Sequence, residues 1–292
     1  MADPRKKVES NVAGEFFVDA SCIDCDTCRQ LGPATFGDDG EHAYVARQPS
    51  TTGERRAALR ALVACPTGSI GTLSKADVSG AISDFPMPIE DGVAYCGFTS
   101  PDSFGASSYF VSHPQGNWLV DSPRWSSHLE KRFEAAGGIA RIFLTHRDDV
   151  ADAQQWAERF GAQRAIHRAD LDAQPDAEIV LEGRDPAQLG DDFLAIPTPG
   201  HTAGHAVLLY RKKFLFAGDH LWWSRNRERL WASRAACWYD WREQTASMER
   251  MARHAGPELA WIVPGHGERV KLPAAEMQRE LARLLETMRA QR

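Results

Sequence analysis

The sequence of 292 residues predicts a small α+β domain followed by a larger α/β sandwich. From about residue 93, short β-rich runs alternate with amphipathic helical segments, first as hairpins and later as βα units. Four of the six cysteines lie in the first quarter of the chain. The stretch between these regions is rich in small and breaker residues and ends in DFPMPIEDG, which indicates a linker. We therefore predict domains over residues 1–75 and 93–292, with a linker over 76–92.

The larger domain contains six strand candidates and four helix candidates. A helix is predicted to start at Ser122, an N-cap followed by Pro123, and to close at Gly137. The predicted helix over about 151–160 is ended by Gly161. The predicted strands are 108–111, 118–121, 141–145, 206–211, 214–217 and 261–263, and the remaining helices are about 241–254 and 274 to the C-terminus. Hairpins and βα units with outer helices favour a sandwich over a barrel.

The composition excludes several classes of protein. A hydrophobic content of 43% with 25% charged residues is ordinary for a globular protein. The net charge of −6 gives no reason to expect nucleic-acid binding. The chain has no apolar stretch of about 18 residues and no signal-peptide core near its start. We therefore expect a cytoplasmic protein without a membrane partner, in which Cys96 and Cys237 are buried thiols.

The spacing of four cysteines predicts an iron–sulfur cluster. Cys22, Cys25 and Cys28 are spaced C-x-x-C-x-x-C, and Cys65 precedes a proline. Residues 14–75 resemble the single-cluster bacterial ferredoxins, and the resemblance implies one [4Fe-4S] cluster held by these four thiolates. The alternative is a four-cysteine zinc site, which more often uses two separated C-x-x-C pairs.

Three short apolar β runs end abruptly in a histidine or an aspartate. Residues 142–145 lead into His146, 215–218 into Asp219, and 262–265 into His266. A fourth segment, PGHTAGH, places His201 after a tight turn. Rigid strand ends can bring ligands from distant parts of a chain to one point. This arrangement predicts a metal site.

These segments resemble the metallo-β-lactamase superfamily over nearly all of residues 93–270. The resemblance rests on five motifs in family order, which begin at Asp121, His146, His201, Asp219 and His266. It implies an α/β fold of the αββα sandwich type. The second motif departs from the family pattern H-x-H-x-D-H, because this chain reads HRDDVADA from residue 146.

The resemblance implies a ligand set for one or two divalent metals, zinc or iron. We expect the first metal to be held by His146, Asp148 and His201, the second by Asp152 and His266, with Asp219 as the bridge. Asp149 could equally supply the third carboxylate, since the sequence does not fix the register. Carboxylates in place of imidazoles favour iron over zinc.

Three neighbours of these ligands have expected roles. Asp121 is expected to orient ligands by hydrogen bonds. His205 is expected to hold the glycine turn by hydrogen bonding. His220 could line the pocket or support the ligands, and we count it with Asp152 as a candidate catalytic residue.

The first functional hypothesis is a metal-dependent hydrolase, in which Asp152 orients a water that attacks an ester, thioester or similar bond of a small-molecule substrate. The second is an oxidoreductase that passes electrons from the cluster to a non-haem iron site, served by a redox partner protein. The third is a non-catalytic ligand-binding or redox-sensing protein. A fold resemblance does not choose among these.

Overall fold

A computed structural model describes residues 2–291, which divide into two compact units. The first unit comprises the chain up to Asn117 together with Ser122–Gly138, and the second comprises Trp118–Asp121 together with the chain from Ile139 onward. The compact units therefore divide at different places from the domain limits predicted from the sequence.

The first unit contains four helices and seven short strands. They are β1 (Phe16–Val18), α1 (Thr27–Leu31), β2 (Phe36–Asp38), β3 (Ala43–Val45), α2 (Thr52–Ala64), β4 (Ile70–Thr72), α3 (Ser79–Ser83), β5 (Met87–Glu90), β6 (Val93–Tyr95), β7 (Tyr109–Val111) and α4 (Ser127–Ala135). β1 pairs with β4 and β2 with β3, while β6 pairs with both β5 and β7, all antiparallel. The N-terminal region is thus a small α+β structure, as predicted.

The segment 76–92, predicted as a linker, contains α3 and β5 instead. Met87 pairs with Tyr95 and Pro88 with Ala94 in the β5–β6 ladder. Two prolines suggested a linker, but proline is tolerated in an edge strand, where it need not donate to a neighbour.

The fourth helix starts later than predicted. Its N-cap is Ser126 and not Ser122. The backbone N–H of Arg124 donates to the carbonyl of Phe98 at 2.9 Å, so the segment before α4 forms a hydrogen bond with a distant part of the chain instead of a helical turn. A serine followed by proline fits an N-cap locally, but the tertiary hydrogen bond decides the conformation.

The second unit contains two sheets, a hairpin and three helices. Its elements are β8 (Trp118–Val120), β9 (Arg141–Phe143), α5 (Ala153–Phe160), β10 (Gln163–His167), β11 (Ile179–Leu181), β12 (Ala187–Gly190), β13 (Phe193–Pro197), β14 (Ala206–Tyr210), β15 (Phe214–Gly218), β16 (Trp222–Ser224), β17 (Arg229–Trp231), α6 (Trp241–Ala255), β18 (Trp261–Pro264), β19 (Val270–Lys271) and α7 (Ala274–Ala290).

The strands β8 to β11 are parallel neighbours in the order β11-β10-β9-β8. The other sheet has the order β12-β13-β14-β15-β18-β19, with β15 and β18 parallel. The rings of Trp118 and Phe193 stack with centroids 4.0 Å apart and join the two sheets. Because α5 packs on β9 and β10 while α6 packs on β13, the layers form the αββα sandwich predicted from the sequence.

The core of this unit lies between the six-stranded sheet and its helices. β14 and β15 are buried along their whole length. α6 is capped by Asp240, whose side chain accepts from the backbone N–H of Glu243, and the helix presents Met248 and Met251 to the core. No helix in the described part of the chain is long and apolar enough to cross a membrane.

Candidate cluster and metal sites

The loop that carries three cysteines is wound tightly. Asp24 and Asp26 both have positive φ, at 54° and 67°, a conformation that costs free energy for residues other than glycine. The side chain of Arg29 donates to both carboxylates, at 2.6 Å to Asp24 and 2.5 Å to Asp26. Arg29 therefore stabilises the conformation that turns Cys22, Cys25 and Cys28 to one side.

Backbone N–H groups point at two of the sulfurs. The N–H of Asp24 donates to Cys22 Sγ at 3.4 Å, and that of Ser69 to Cys65 Sγ at 3.3 Å. Burial raises the pKa of the Cys25 thiol to about 11 and that of Cys28 well above its usual value. Such thiols give up their protons only when a cation or cluster stabilises the thiolate.

The arrangement of the sulfurs fits a cluster better than a single ion. Cys22, Cys25, Cys28 and Cys65 line one cavity. Among the described residues, no three cysteine sulfurs lie within 4.8 Å of one another. A tetrahedral zinc ion with bonds of about 2.3 Å would hold its sulfurs about 3.8 Å apart. The sulfurs are therefore too far apart to bind one tetrahedral ion, as expected for the ligands of a cluster.

The metal site lies where strands of the second unit end. Asp219 directly follows β15, and His266 follows β18 by two residues. Gly218 and Pro264 pair in the parallel register, so both strands end at the same edge. His146 follows β9, and His201 lies in the turn before β14. Side chains from four segments that are distant in sequence thus lie close together at this edge of the second unit.

The distances between these side chains match donors around a metal. Asp219 Oδ2 lies 3.8 Å from His146 Nε2, 3.5 Å from His201 Nε2 and 3.9 Å from His266 Nε2. Asp148 Oδ2 lies 3.8 Å and 3.6 Å from the Nε2 atoms of His146 and His201. Donors bound to one metal at about 2.0–2.2 Å are separated by such distances.

Hydrogen bonds orient the two inner histidines towards this point. His201 Nδ1 lies 2.5 Å from the carbonyl of Ala236, which can only accept, so Nδ1 carries the proton. Thr145 donates its hydroxyl to Asp121 at 2.9 Å and can therefore accept from His146 Nδ1 at 3.0 Å. The Nε2 atoms of both histidines are buried and lack a hydrogen-bond partner. Buried, unpartnered nitrogens of this kind are ready ligands once they carry no proton.

The charges of the site are set by burial and by its own members. Burial lowers the pKa of His146 to about 4, which keeps the ring neutral. Burial opposes ionisation of Asp219, but the nearby His266, His146 and His201 hold the pKa of this carboxyl below its usual value. The nearby ring of His201, 3.6 Å away, lowers the pKa of Asp148. Both carboxyls are therefore ionised, as donors to a metal must be.

Asp149 occupies the position beside the site that we assigned to Asp152. Asp149 is 1% exposed, and its Oδ2 is buried, unpartnered and 4.0 Å from His146 Nδ1. A Cβ added at Gly265 would lie 2.7 Å from Asp149 Oδ2 and 2.8 Å from Asp219 Oδ1, so both carboxylates converge there. Asp152 is the partly exposed N-cap residue of α5. The geometry therefore favours Asp149.

The two remaining histidines differ in their hydrogen bonding. His205 lies 2.8 Å from the Thr198 hydroxyl through Nδ1 and accepts the backbone N–H of Asp219 through Nε2 at 3.2 Å. Both nitrogens are used, as expected for a residue that holds the turn. His220 is fully buried, with both ring nitrogens unpartnered, and its ring stacks on His205. Burial lowers its pKa to about 3, so it is neutral.

Asp170 is a supporting residue that the sequence analysis missed. It is 1% exposed, and its carboxylate accepts from the backbone N–H of Arg147, the hydroxyl of Thr202 and the backbone N–H of Gly204. It thus ties the loop after His146 to the turn that carries His201. Its position shortly after β10 was the sequence signal that could have indicated a role at the site. The contact of His201 with the backbone carbonyl of Ala236 could not be predicted from the sequence, because every residue has a backbone carbonyl.

An open pocket of about 420 Å³ lies over the inner ligands and includes Asp148 and His201 in its wall. Trp238 and Tyr239 line it and are 68% and 57% exposed. Their backbone N–H groups donate to the carbonyl of His201 at 3.0 Å each, so hydrogen bonds hold the backbone that carries both rings. A substrate could approach the ligands here.

Comparison with known proteins identifies the N-terminal region. The model of the 4Fe-4S single cluster domain of ferredoxin I matches residues 18–72, a span that includes all four cysteines. The prediction of a single-cluster ferredoxin domain is confirmed.

The rest of the chain is similar to proteins of one fold. The crystal structure of DIM-1 metallo-β-lactamase covers 68% of this chain and 95% of its own, with a TM-score of 0.52 and 18% identity. The crystal structure of the metallo-β-lactamase FIM-1 from Pseudomonas aeruginosa in its mono-zinc form covers 68% of this chain and 93% of its own, with a TM-score of 0.52 and 17% identity. A hydroxyacylglutathione hydrolase of Acidiphilium cryptum (strain JF-5) is 28% identical over 187 residues, which are 58% of this chain and 76% of that protein. The predicted metallo-β-lactamase fold is confirmed.

Proposed function

We propose that this protein, which joins a single-cluster 4Fe-4S ferredoxin domain to a metallo-β-lactamase fold, is a metal-dependent hydrolase of an ester, thioester or similar bond. One observation carries the proposal. Donor atoms of His146, His201, Asp148 and Asp219 converge with separations of 3.5–3.8 Å, and the two imidazole nitrogens are buried without other partners. The similarity to a hydroxyacylglutathione hydrolase supports the same class of reaction.

The donor set fits a divalent metal, and these four residues would hold it. A divalent ion there would lower the pKa of a coordinated water towards neutrality and polarise the bond that is cleaved. His266, 3.9 Å from the same Asp219 oxygen, would hold a second ion together with Asp149. Val150 follows Asp149 and offers no ligand, so the second position is poorer in donors.

The chain itself supplies orientation and a proton acceptor. When only the first ion is bound, Asp149 Oδ2 is buried beside the donors without a hydrogen-bond partner, so we assign it to orient the attacking water and take its proton. The pairs Thr145–Asp121 and His201–Ala236 hold the two imidazoles at fixed angles. His220 is assigned to the wall behind the donors.

The substrate is proposed to enter through the open pocket beside Asp148. The exposed rings of Trp238 and Tyr239 can pack against an apolar or flat part of a small molecule. Arg147 lines the same pocket and can interact with an anionic group, although it also pairs with Asp172 at 2.7 Å.

A second candidate function is supported by the donor types. The three most closely grouped donors are two histidines and one carboxylate, from His146, His201 and Asp219. This combination with open positions is typical of non-haem iron sites. In that case the ferredoxin domain would supply electrons, and an external redox protein would reduce the cluster.

The proposed hydrolysis can be tested with the full chain prepared without oxygen and loaded with zinc. The substrates would be a hydroxyacylglutathione thioester and a nitrophenyl ester, with His201→Ala as the metal-site variant and Arg211→Gln, on the far-lying β14–β15 turn, as the control. We expect turnover that is retained in Arg211→Gln and lost after chelation or in His201→Ala. Zinc-loaded protein that cleaves neither bond, together with iron-loaded protein that shows a redox-active iron signal distinct from that of the cluster, would favour the second candidate.

A further inference from the structure

The end of α2 that leads into Cys65 is capped by residues far along the chain. An α-helix leaves its last carbonyls without helical partners. Here the Arg124 guanidinium donates to the carbonyls of Val63 at 2.8 Å and Cys65 at 2.9 Å, and the hydroxyl of Thr99 donates to that of Ala64 at 2.7 Å. Three consecutive carbonyls at the cluster cavity are thus satisfied from outside the ferredoxin-like segment.

Arg124 carries a charge that no carboxylate offsets. Its side-chain hydrogen bonds go to neutral carbonyls, and among the described residues no acidic group forms an ion pair with it. The guanidinium also lies over the ring of Phe98, 5.6 Å from the centroid. Two arginines on α2 itself are different, since Arg56 and Arg60 both pair with Asp84.

The position of this charge bears on the redox chemistry of the cluster. The C-terminal end of a helix carries partial negative charge, and α2 ends directly at the ligand Cys65. A cluster with four thiolates is negatively charged, and reduction adds one more negative charge. A partly buried cation at this end favours the reduced form, because nearby charge and solvent exposure set the potential of such clusters.

We propose that Arg124 is a positioning residue that holds the Cys65 end of α2 at the cluster and raises the reduction potential of the cluster. Thr99 shares the capping role without contributing charge. This inference does not depend on the reaction of the second unit, since every contact that it uses lies within the first.

The test is a spectroelectrochemical titration of the cluster in the full chain. Arg124→Gln removes charge and most of the hydrogen bonding, Arg124→Lys keeps the charge, and Thr99→Val removes a capping hydrogen bond alone. The matched control is Arg47→Gln, which removes a cation paired with Glu54 near the start of α2. α2 has 13 residues, so that end lies about 20 Å away, beyond the screening distance of about 8 Å at physiological salt.

We expect a lower midpoint potential in Arg124→Gln, with values close to wild type in the other three variants. We also expect faster loss of visible absorbance in Arg124→Gln and Thr99→Val than in Arg47→Gln, because both lose part of the cap. An unchanged potential in Arg124→Gln would overturn the proposal. Should Arg124→Gln fail to retain the cluster, Arg124→Lys decides, since a wild-type potential supports the role of charge and a lowered one contradicts it.

Discussion

At the scale of single residues, two aspartates three positions apart in sequence have different environments. Asp149 is 1% exposed beside His146, whereas Asp152 is partly exposed at the N-cap position of α5 and makes no side-chain capping hydrogen bond. Asp149→Asn keeps the shape but removes the proton acceptor, so we expect kcat/KM for ester or thioester hydrolysis to fall by about 10²–10⁴-fold. Asp152→Asn is the matched control and should retain most of the activity. Steady-state kinetics giving the reverse order would restore Asp152 to the site.

His205 provides a second test at this scale, because its two ring nitrogens bond to Thr198 and to the backbone of Asp219. His205→Ala should lower the free energy of unfolding by about 1–3 kcal/mol, since it leaves buried polar groups unpartnered. Metal affinity should fall less than in His201→Ala. Urea denaturation and metal titration measure the two effects. Equal losses of metal in the two variants would make His205 a ligand.

The sequence predicted which side chains converge at the candidate metal site, because their signal is local. His146, Asp219 and His266 each follow an apolar strand, and such strands can share an edge. The register of the second motif was not predictable, since three aspartates compete within five residues. Burial decides between them, and burial depends on how the short turn after His146 packs. The supporting contacts of Asp170 and Ala236 likewise arise only from the tertiary fold.

At the scale of elements, the loop after β6 closes against the cysteine loop. A Cβ added at Gly105 would lie 2.7 Å from Cys25 Cβ and 2.8 Å from its Sγ, and the Gly105 carbonyl accepts from the hydroxyl of Thr27 at 3.2 Å. Gly105 also has a φ of 83°. Gly105→Ala should therefore displace Cys25 and reduce the cluster content.

The matched control is Gly40→Ala. Gly40 has a φ of 94°, but nothing lies within 4 Å of an added Cβ. It therefore carries the same backbone strain, about 1–2 kcal/mol, without the steric contact. Iron and acid-labile sulfide per chain measure the difference. Equal cluster content in Gly105→Ala and Gly40→Ala would show that the contact with Cys25 does not matter.

The elements that the sequence mispredicted are those shaped by distant contacts. Residues 76–92 resemble a linker in composition, yet β5 pairs with β6, and Asp84 after α3 binds both Arg56 and Arg60 of α2. Ser122 resembles a helix N-cap, but the helix begins only after Ser126. Long periodic helices such as α6 and α7 were predicted to within a few residues, because their signals are repeated along the element.

At the scale of the whole molecule, one chain carries two sites with different donor chemistry. Four cysteine sulfurs line one cavity, and among the described residues no three of them lie within 4.8 Å of one another. At the second site, nitrogen and oxygen donors converge at a spacing suited to one or two divalent ions. Iron–sulfur clusters take thiolate ligands, while imidazole with carboxylate suits zinc or iron. The two sites should therefore load independently.

Metal analysis of the full chain, purified without oxygen, tests this account most directly. Wild type should contain the four irons of one 4Fe-4S cluster together with at least one further divalent ion per chain. Asp219→Ala should lose the further ion and keep the iron and sulfide of the cluster, because Asp219 Oδ2 faces all three histidines. A wild-type protein with cluster iron and no further metal, or an Asp219→Ala variant with unchanged metal content, would contradict the assignment of the metal site.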